Sequence, residues 1–332
     1  MRQLIGTTLK IILPLGFGIL LTWYFFYSMS PASYLYFKQA IRSANYYWIA
    51  LSALLSISAY IVRAYRWKYL LQPLGYQIPF WHRYHAIAIG YLINYTIPRA
   101  GEVARATMLY RSDGATFSKV AGTILVERAF DVVILASILL GATTFLNDDF
   151  SAISQLIKDQ IKGGSSDAFT WIGYGFIFLI GIAILFGLSK QRIRSKIVEF
   201  FRGILEGVGS VFQTQGKLQF LLQTLLIWVI FLIGFELCFL AFPETSRISL
   251  SGVFLAFIAG TIGITLTNGG IGVFPFAVGL SIEYYLNKES QLSTTGVGFA
   301  LGMIIWCSQT LLVIILGVIS LILLPKNYRQ HD

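Results

Sequence analysis

Residues 94–105 read Asn94-Tyr95-Thr96-Ile97-Pro98-Arg99-Ala100-Gly101-Glu102-Val103-Ala104-Arg105, a stretch whose residue types can hold an anion. Pro98 suits the first turn of a helix, where a missing N–H is no loss, and Thr96 can cap that helix. At 3.6 residues per turn, Arg99, Glu102 and Arg105 fall within an arc of about 120°. A helix start presents free N–H groups and the positive end of the dipole. Two guanidiniums beside it can grip a phosphate through bidentate forks. The competing reading is an interfacial helix whose arginines touch bulk lipid headgroups.

A second group, Glu127, Arg128 and Asp131, opens a long apolar run with no further charge until Asp148. Glu127 and Asp131 share a helix face, and Arg128 reaches Asp131 at i+3. Ionisable groups in a membrane helix are costly, face the bundle interior and mark functional sites. Three roles stand open here: an ion-pair lock to the 94–105 segment, a substrate or proton role, or placement at the membrane interface. Arg99 or Arg105 is expected to pair with Glu102, Glu127 or Asp131. A third feature is the break Thr267-Asn268-Gly269-Gly270, where glycine permits a sharp backbone turn. The candidate substrate-binding set is therefore Asn94, Arg99, Glu102, Arg105, Glu127, Arg128, Asp131, Asn268, Gly269 and Gly270.

Other residues carry blander readings. Glu236 reads as a hydrogen-bonded carboxyl inside an apolar helix, and Arg63, Arg66 and Trp67 as interfacial anchors. Cys238 and Cys307 lie in apolar runs and read as small core residues. His82, His85 and His331 have no zinc-like neighbours, so neither metal nor cofactor is expected. The run Gly269-Gly270-Ile271-Gly272 lacks the Lys-Ser/Thr of a P-loop, and no catalytic motif is evident.

The elements that must position these residues are membrane helices. Of 332 residues, 56% are hydrophobic and 12% charged, where a soluble domain carries about a quarter charged. The mean hydropathy is +0.71. Apolar runs over Ile11–Tyr27, Val132–Leu146, Phe169–Leu188, Leu218–Phe242 and Val297–Leu324 approach or pass the length of a spanning helix. They do not alternate with period two, which argues against a barrel. The first run is long for a signal peptide and reads as an uncleaved helix. The net charge of +10 is spread over short loops, as membrane orientation requires, so nucleic acid is not an expected partner.

Lysine and arginine then set the topology. The segment Lys190–Lys217 and both termini read as cytoplasmic, and Asn147–Asp167 as external. Residues 83 and 119 must share the cytoplasmic face, so the chain between them crosses an even number of times. A re-entrant hairpin over about 84–118, turning near Pro98, satisfies this. By the same logic a second hairpin over about 250–286 opens to the exterior. Ile197–Phe212 reads as a surface amphipathic helix. The expected fold is all-α and polytopic: one membrane domain over 1–332, about eight transmembrane helices plus two re-entrant hairpins, with a possible inverted repeat.

The run from Asn94 through Arg105 to Glu127, Arg128 and Asp131 resembles the lysylphosphatidylglycerol synthase transmembrane, or flippase-like, domain family. The likeness continues at Gly269-Gly270-Ile271-Gly272-Val273-Phe274. That family's pattern has proline before the two glycines and an acid after the phenylalanine; this chain has Asn268 and Pro275 there. The resemblance implies a membrane domain that flips or binds lipids, in some relatives fused to a soluble aminoacyl-transferase domain or attached to polyprenyl-phosphate pathways. No such soluble domain is expected here, and lipid aminoacylation is not the expected activity. The expected function is an anionic-lipid translocase in a bacterial inner membrane. Its expected partners are lipids with anionic headgroups, with a homo-oligomer or a lipid-modifying enzyme as further partner. The alternatives are a transferase on a lipid-linked substrate, an ion-coupled small-solute transporter, and a non-transporting subunit.

Overall fold

The computed structural model describes residues 31–97, 100–145, 216–290 and 296–323, with isolated positions between 16 and 27. Most of the first apolar run, Pro98 and Arg99, the acidic 147–167 segment, the 169–188 run and the 197–212 surface helix lie outside the described residues. Among the described residues nine α-helices and no strand occur. They are α1 (Pro31–Ser43), α2 (Tyr46–Leu71), α3 (Phe80–Thr96), α4 (Ala100–Asp113), α5 (Phe117–Phe145), α6 (Lys217–Phe239), α7 (Leu250–Leu266), α8 (Val273–Ser290) and α9 (Val297–Leu323).

Three stretches, Tyr46–Leu74, Lys217–Phe239 and Val297–Leu323, are long and apolar enough to cross a membrane. They carry α2, α6 and α9. α5 has the length, at 29 residues, but holds Lys119, Glu127, Arg128 and Asp131. The chain forms two compact units, residues 1–124 with 214–332, and residues 125–213.

In the first unit α2 and α6 run antiparallel. Ser52 Oγ donates to the Gly234 carbonyl at 2.6 Å, and Arg66 Nη1 to Thr224 Oγ1 at 3.2 Å. A single apolar core joins α6 to α9 with the end of α1, through Phe37, Phe235, Phe257, Val278 and Leu301. Asn45 closes the α1–α2 corner: its side chain accepts from Tyr47 N–H, and its own N–H donates to the Ala241 carbonyl.

Two helix pairs stand where the sequence places hairpins. α3 and α4 pack on each other from their connecting turn backwards. The pair starts at Phe80, just after Pro79, and ends at Asp113, where Gly114 takes φ +68°. α7 and α8 likewise pair, with Gly260 against Phe274 and Val278, and Gly252 against Tyr285. Their arms hold 17, 14, 17 and 18 residues. At 1.5 Å per residue these are about 21–27 Å long, short of a hydrocarbon core of about 30 Å.

Candidate functional site

At the first tip two glycines let helix backbones meet. A methyl group on Gly101 would fall onto the Gly90 carbonyl oxygen, so α3 and α4 cross there with no side chain between them. Asn94 Oδ1 accepts from Gly101 N–H at 2.7 Å, which occupies one of the free donors of the α4 start. One turn further along α4, the stem of Arg105 lies against Gly90. Arg105 is 5% exposed, and its guanidinium sits 4.1 Å from the centre of the Trp67 ring. Trp67 is itself fixed, its Nε1 donating to Thr123 Oγ1 at 2.9 Å. Glu102, on the same helix, is half-buried.

Trp67 and Arg66 correct the sequence reading. Both are fully buried rather than interfacial. The end of α2 is covered by α3 and α6, so polar groups there face protein: Arg66 reaches Thr224 and the Phe220 ring, and half-buried Arg63 lies over Tyr91 and Phe231.

The second tip is a 3₁₀ turn over Asn268–Gly270. Gly269, Gly270 and Gly272 take φ of +66°, +75° and +72°, a left-handed conformation that favours glycine. The two tips meet. The ring of Tyr95 lies so close to Gly269 that a Cβ there would stand 2.7 Å from it. Trp306 Nε1 on α9 donates to the Gly269 carbonyl at 2.8 Å, and Thr310 Oγ1 donates to the Tyr95 hydroxyl at 3.4 Å. Asn94 and Gly101 are thus brought toward Gly269 through Tyr95, and Arg105 follows Gly101 by one turn of α4. Pro275, where the resembling family has an acid, is buried, and its carbonyl packs on Gly302 of α9.

In the second unit the expected i+3 pair is present: Arg128 Nη1 lies 3.6 Å from Asp131 Oδ2. Glu127 on the same helix is buried, at 3% exposure.

Sequence reasoning missed several groups. Tyr95 lies inside the singled-out motif, yet nothing in its spacing shows that it would touch Gly269. Trp306 carried no signal at all. His82, given no role, binds Asp113 through Nδ1 at 2.9 and 3.1 Å, and Ser112 hydrogen-bonds the same carboxylate. This ties the open ends of α3 and α4. In the loop before α3, the Tyr76 hydroxyl accepts from Thr116 N–H, which lowers that phenol's pKa. Cys238 is buried as expected, but Cys307 is exposed because it lies on the outward apolar face of α9 with Leu311 and Ile314. Among the described residues no cluster of three metal-ligating side chains occurs.

Apolar spans, paired short helices and buried arginines define an all-helical membrane domain with two helical hairpins joined at their tips. The chain belongs to the family described as the lysylphosphatidylglycerol synthase TM region, whose model matches residues 11–306. It is also similar to the glycosyltransferase AglD of Haloferax volcanii, 24% identical over 267 residues. That alignment covers 69% of this chain and 42% of the longer relative. No solved structure matches the chain.

Proposed function

We propose that this domain binds the anionic headgroup of a lipid where its hairpin tips meet and moves it between leaflets. The observation that carries the reading is the contact of Tyr95 with Gly269, with Arg105 buried on α4 one helical turn beyond Gly101. Two broken helices meeting inside a bundle form the kind of midplane site that transporters use. In the orientation set by lysine and arginine, residues 83 and 119 face the cytoplasm and residues 148 and 288 the exterior. The hairpins then open to opposite faces, and each leaflet has its own route to the tips. Arg99 and Arg105 receive the headgroup. With no P-loop in the sequence, transport runs downhill or on an ion gradient.

The AglD likeness favours one second reading, in which the domain holds a lipid-linked substrate for a transferase. Leaflet-specific quenching of labelled lipids in liposomes separates the two. Anionic and polyprenyl-phosphate lipids should cross faster with protein than without. Arg99→Ala combined with Arg105→Ala should erase headgroup selectivity before it erases folding. A rate equal to that of empty liposomes for every lipid, with and without a proton gradient, sinks the translocase and leaves the holding role.

A further inference from the structure

Glu283, on α8, is a buried acid, 6% exposed. Its Oε1 accepts from the N–H groups of Gly296 and Gly298 at 2.8 and 2.9 Å, and so bridges α8 to the start of α9. Its Oε2 is enclosed and has no hydrogen-bond partner among the described residues. From this point toward the hairpin tip the two helices touch through their backbones. A Cβ on Gly298 would stand 2.8 Å from the Gly279 carbonyl oxygen, and one on Gly302 2.7 Å from that of Pro275. The carboxyl therefore sits at the mouth of a tight seam, level with the first turn of α9 and outside the stretches long and apolar enough to cross a membrane.

The surroundings offer this carboxyl no cation. The helices packed on α8 are α7, which holds no titratable side chain, and α9, which holds only Cys307. On α8 itself the Lys288 amine lies over the Tyr284 and Tyr285 rings. Further out, Lys38 and Arg42 of α1 and Arg247 before α7 are exposed, and Glu236 and Glu244 are half-buried acids. None of these cations pairs with Glu283. Residues 291–295, between α8 and α9, read Gln-Leu-Ser-Thr-Thr and add no charge. An ionised carboxylate here would hold one oxygen charged and dry, and the neutral form costs far less. Backbone N–H groups favour the charged form and burial the neutral one. Burial wins: it pushes the carboxyl up to about 7, against the pull of the Gly296, Gly298 and Phe299 N–H groups.

We infer that Glu283 is a proton-binding site that locks α8 to α9: the seam stays closed while the carboxyl holds a proton and parts when the proton leaves. On opening, the Oε2–H bond breaks, the proton passes to water at the mouth of the seam, and the electron pair stays on the carboxylate. The closed seam binds the proton more tightly than an open one, so low pH favours closure and rising pH favours opening. The closing effect is complete below an ordinary glutamate pKa of about 4.3 and is lost as pH rises through about 7. The lock would make the proton the coupling ion of the translocase proposed above. That consequence alone rests on the translocase reading; the site rests on the contact of α8 with α9.

The test uses the full chain in detergent and does not read lipid movement. Infrared difference spectra between about pH 5 and about pH 8 follow the C=O band of a protonated carboxyl. The wild type should lose one such band with a midpoint of about 7, and Glu283→Gln should lack it. Hydrogen exchange read by mass spectrometry then reports opening of the seam at the Gly296–Phe299 amides. At about pH 8 these should exchange at least about threefold faster in the wild type than in Glu283→Gln, whose amide keeps the acceptor without a charge. At about pH 5 the two should agree within about twofold. Glu283→Ala, with no acceptor, should exchange fast at both pH values; slow exchange there would show a seam that needs no lock, and would overturn the inference. So would a wild type with no carboxyl band titrating in this range, or a Glu283→Gln that keeps the band. Equal exchange of wild type and Glu283→Gln at the higher pH would show that the proton does not control the seam, and would overturn it too. Lipid movement in liposomes that persists alongside any of these results leaves the translocase standing without this lock.

Discussion

Alanine at position 101 puts a methyl group where the Gly90 carbonyl and the Asn94 amide already stand. The new Cβ would lie 2.6 Å from Asn94 Cγ and 2.7 Å from Nδ2, and closer still to the carbonyl oxygen. Ordinary contact is about 3.5 Å, so α3 and α4 must part by about 1 Å. Neither obstacle yields easily, since one is helix backbone and the other is the group that binds Gly101 N–H. Overpacking of this kind costs about 1–3 kcal/mol. Loss of the Asn94 bond adds about 0.5–1.5 kcal/mol. The better helix propensity of alanine returns about 0.8–1 kcal/mol. The net loss is about 0.5–3.7 kcal/mol. Gly122→Ala is the matched control, because nothing stands within 4 Å of its added Cβ. It keeps the propensity gain and should be neutral or stabilising by up to about 1 kcal/mol. The two variants should differ in melting midpoint by several degrees, read by size-exclusion chromatography after heating in detergent. Asn94→Ala should fall between them. If Gly101→Ala melts at or above Gly122→Ala, the tight crossing of α3 and α4 does not exist.

Two further outcomes follow from named contacts. Glu283 Oε1 accepts from Gly296 and Gly298 N–H at 2.8 and 2.9 Å and so caps α9. Glu283→Gln keeps an acceptor and should melt near the wild type, whereas Glu283→Ala should lose about 2–4 kcal/mol; equal melting of the two would remove the cap. Trp67→Phe keeps a ring face under Arg105, while Trp67→Leu removes a cation–π contact worth about 0.5–2 kcal/mol. Headgroup selectivity in the liposome assay should survive the first change and fall in the second; survival in both would show that the stack does not position Arg105.

Much of the scaffold is legible in the sequence because hydrocarbon imposes length and composition on any helix that crosses it. The hairpins were legible for a related reason. Pro98 and the Gly269–Gly270 pair interrupt apolar runs whose arms are short, and the helix pairs fold back at these breaks. The i+3 pair of Arg128 and Asp131 followed from helical periodicity alone. What the sequence concealed was tertiary. Arg66 and Trp67 sit at the end of an apolar helix among charges, a pattern shared by interfacial anchors. Only the covering of that end by α3 and α6 buries them. The contact of Tyr95 with Gly269 joins segments far apart in the chain, and no local spacing encodes it. His82 and Asp113 likewise meet only because α3 folds back as α4.

The antiparallel α2 and α6 are fastened at two heights, by Ser52 on the Gly234 carbonyl and by Arg66 on Thr224. In hydrocarbon no water replaces a broken bond, so sliding either helix by one turn, about 5.4 Å, would leave both fastenings unmade. The pair therefore resists sliding of α2 along α6, and α2 with α6 forms a rail. The quantity under constraint in the rail is length. One residue inserted in α2 between Ser52 and Arg66 would rotate one end by about 100° relative to the other, so that only one fastening could form. Substitutions on the outer face of the rail would leave both in place.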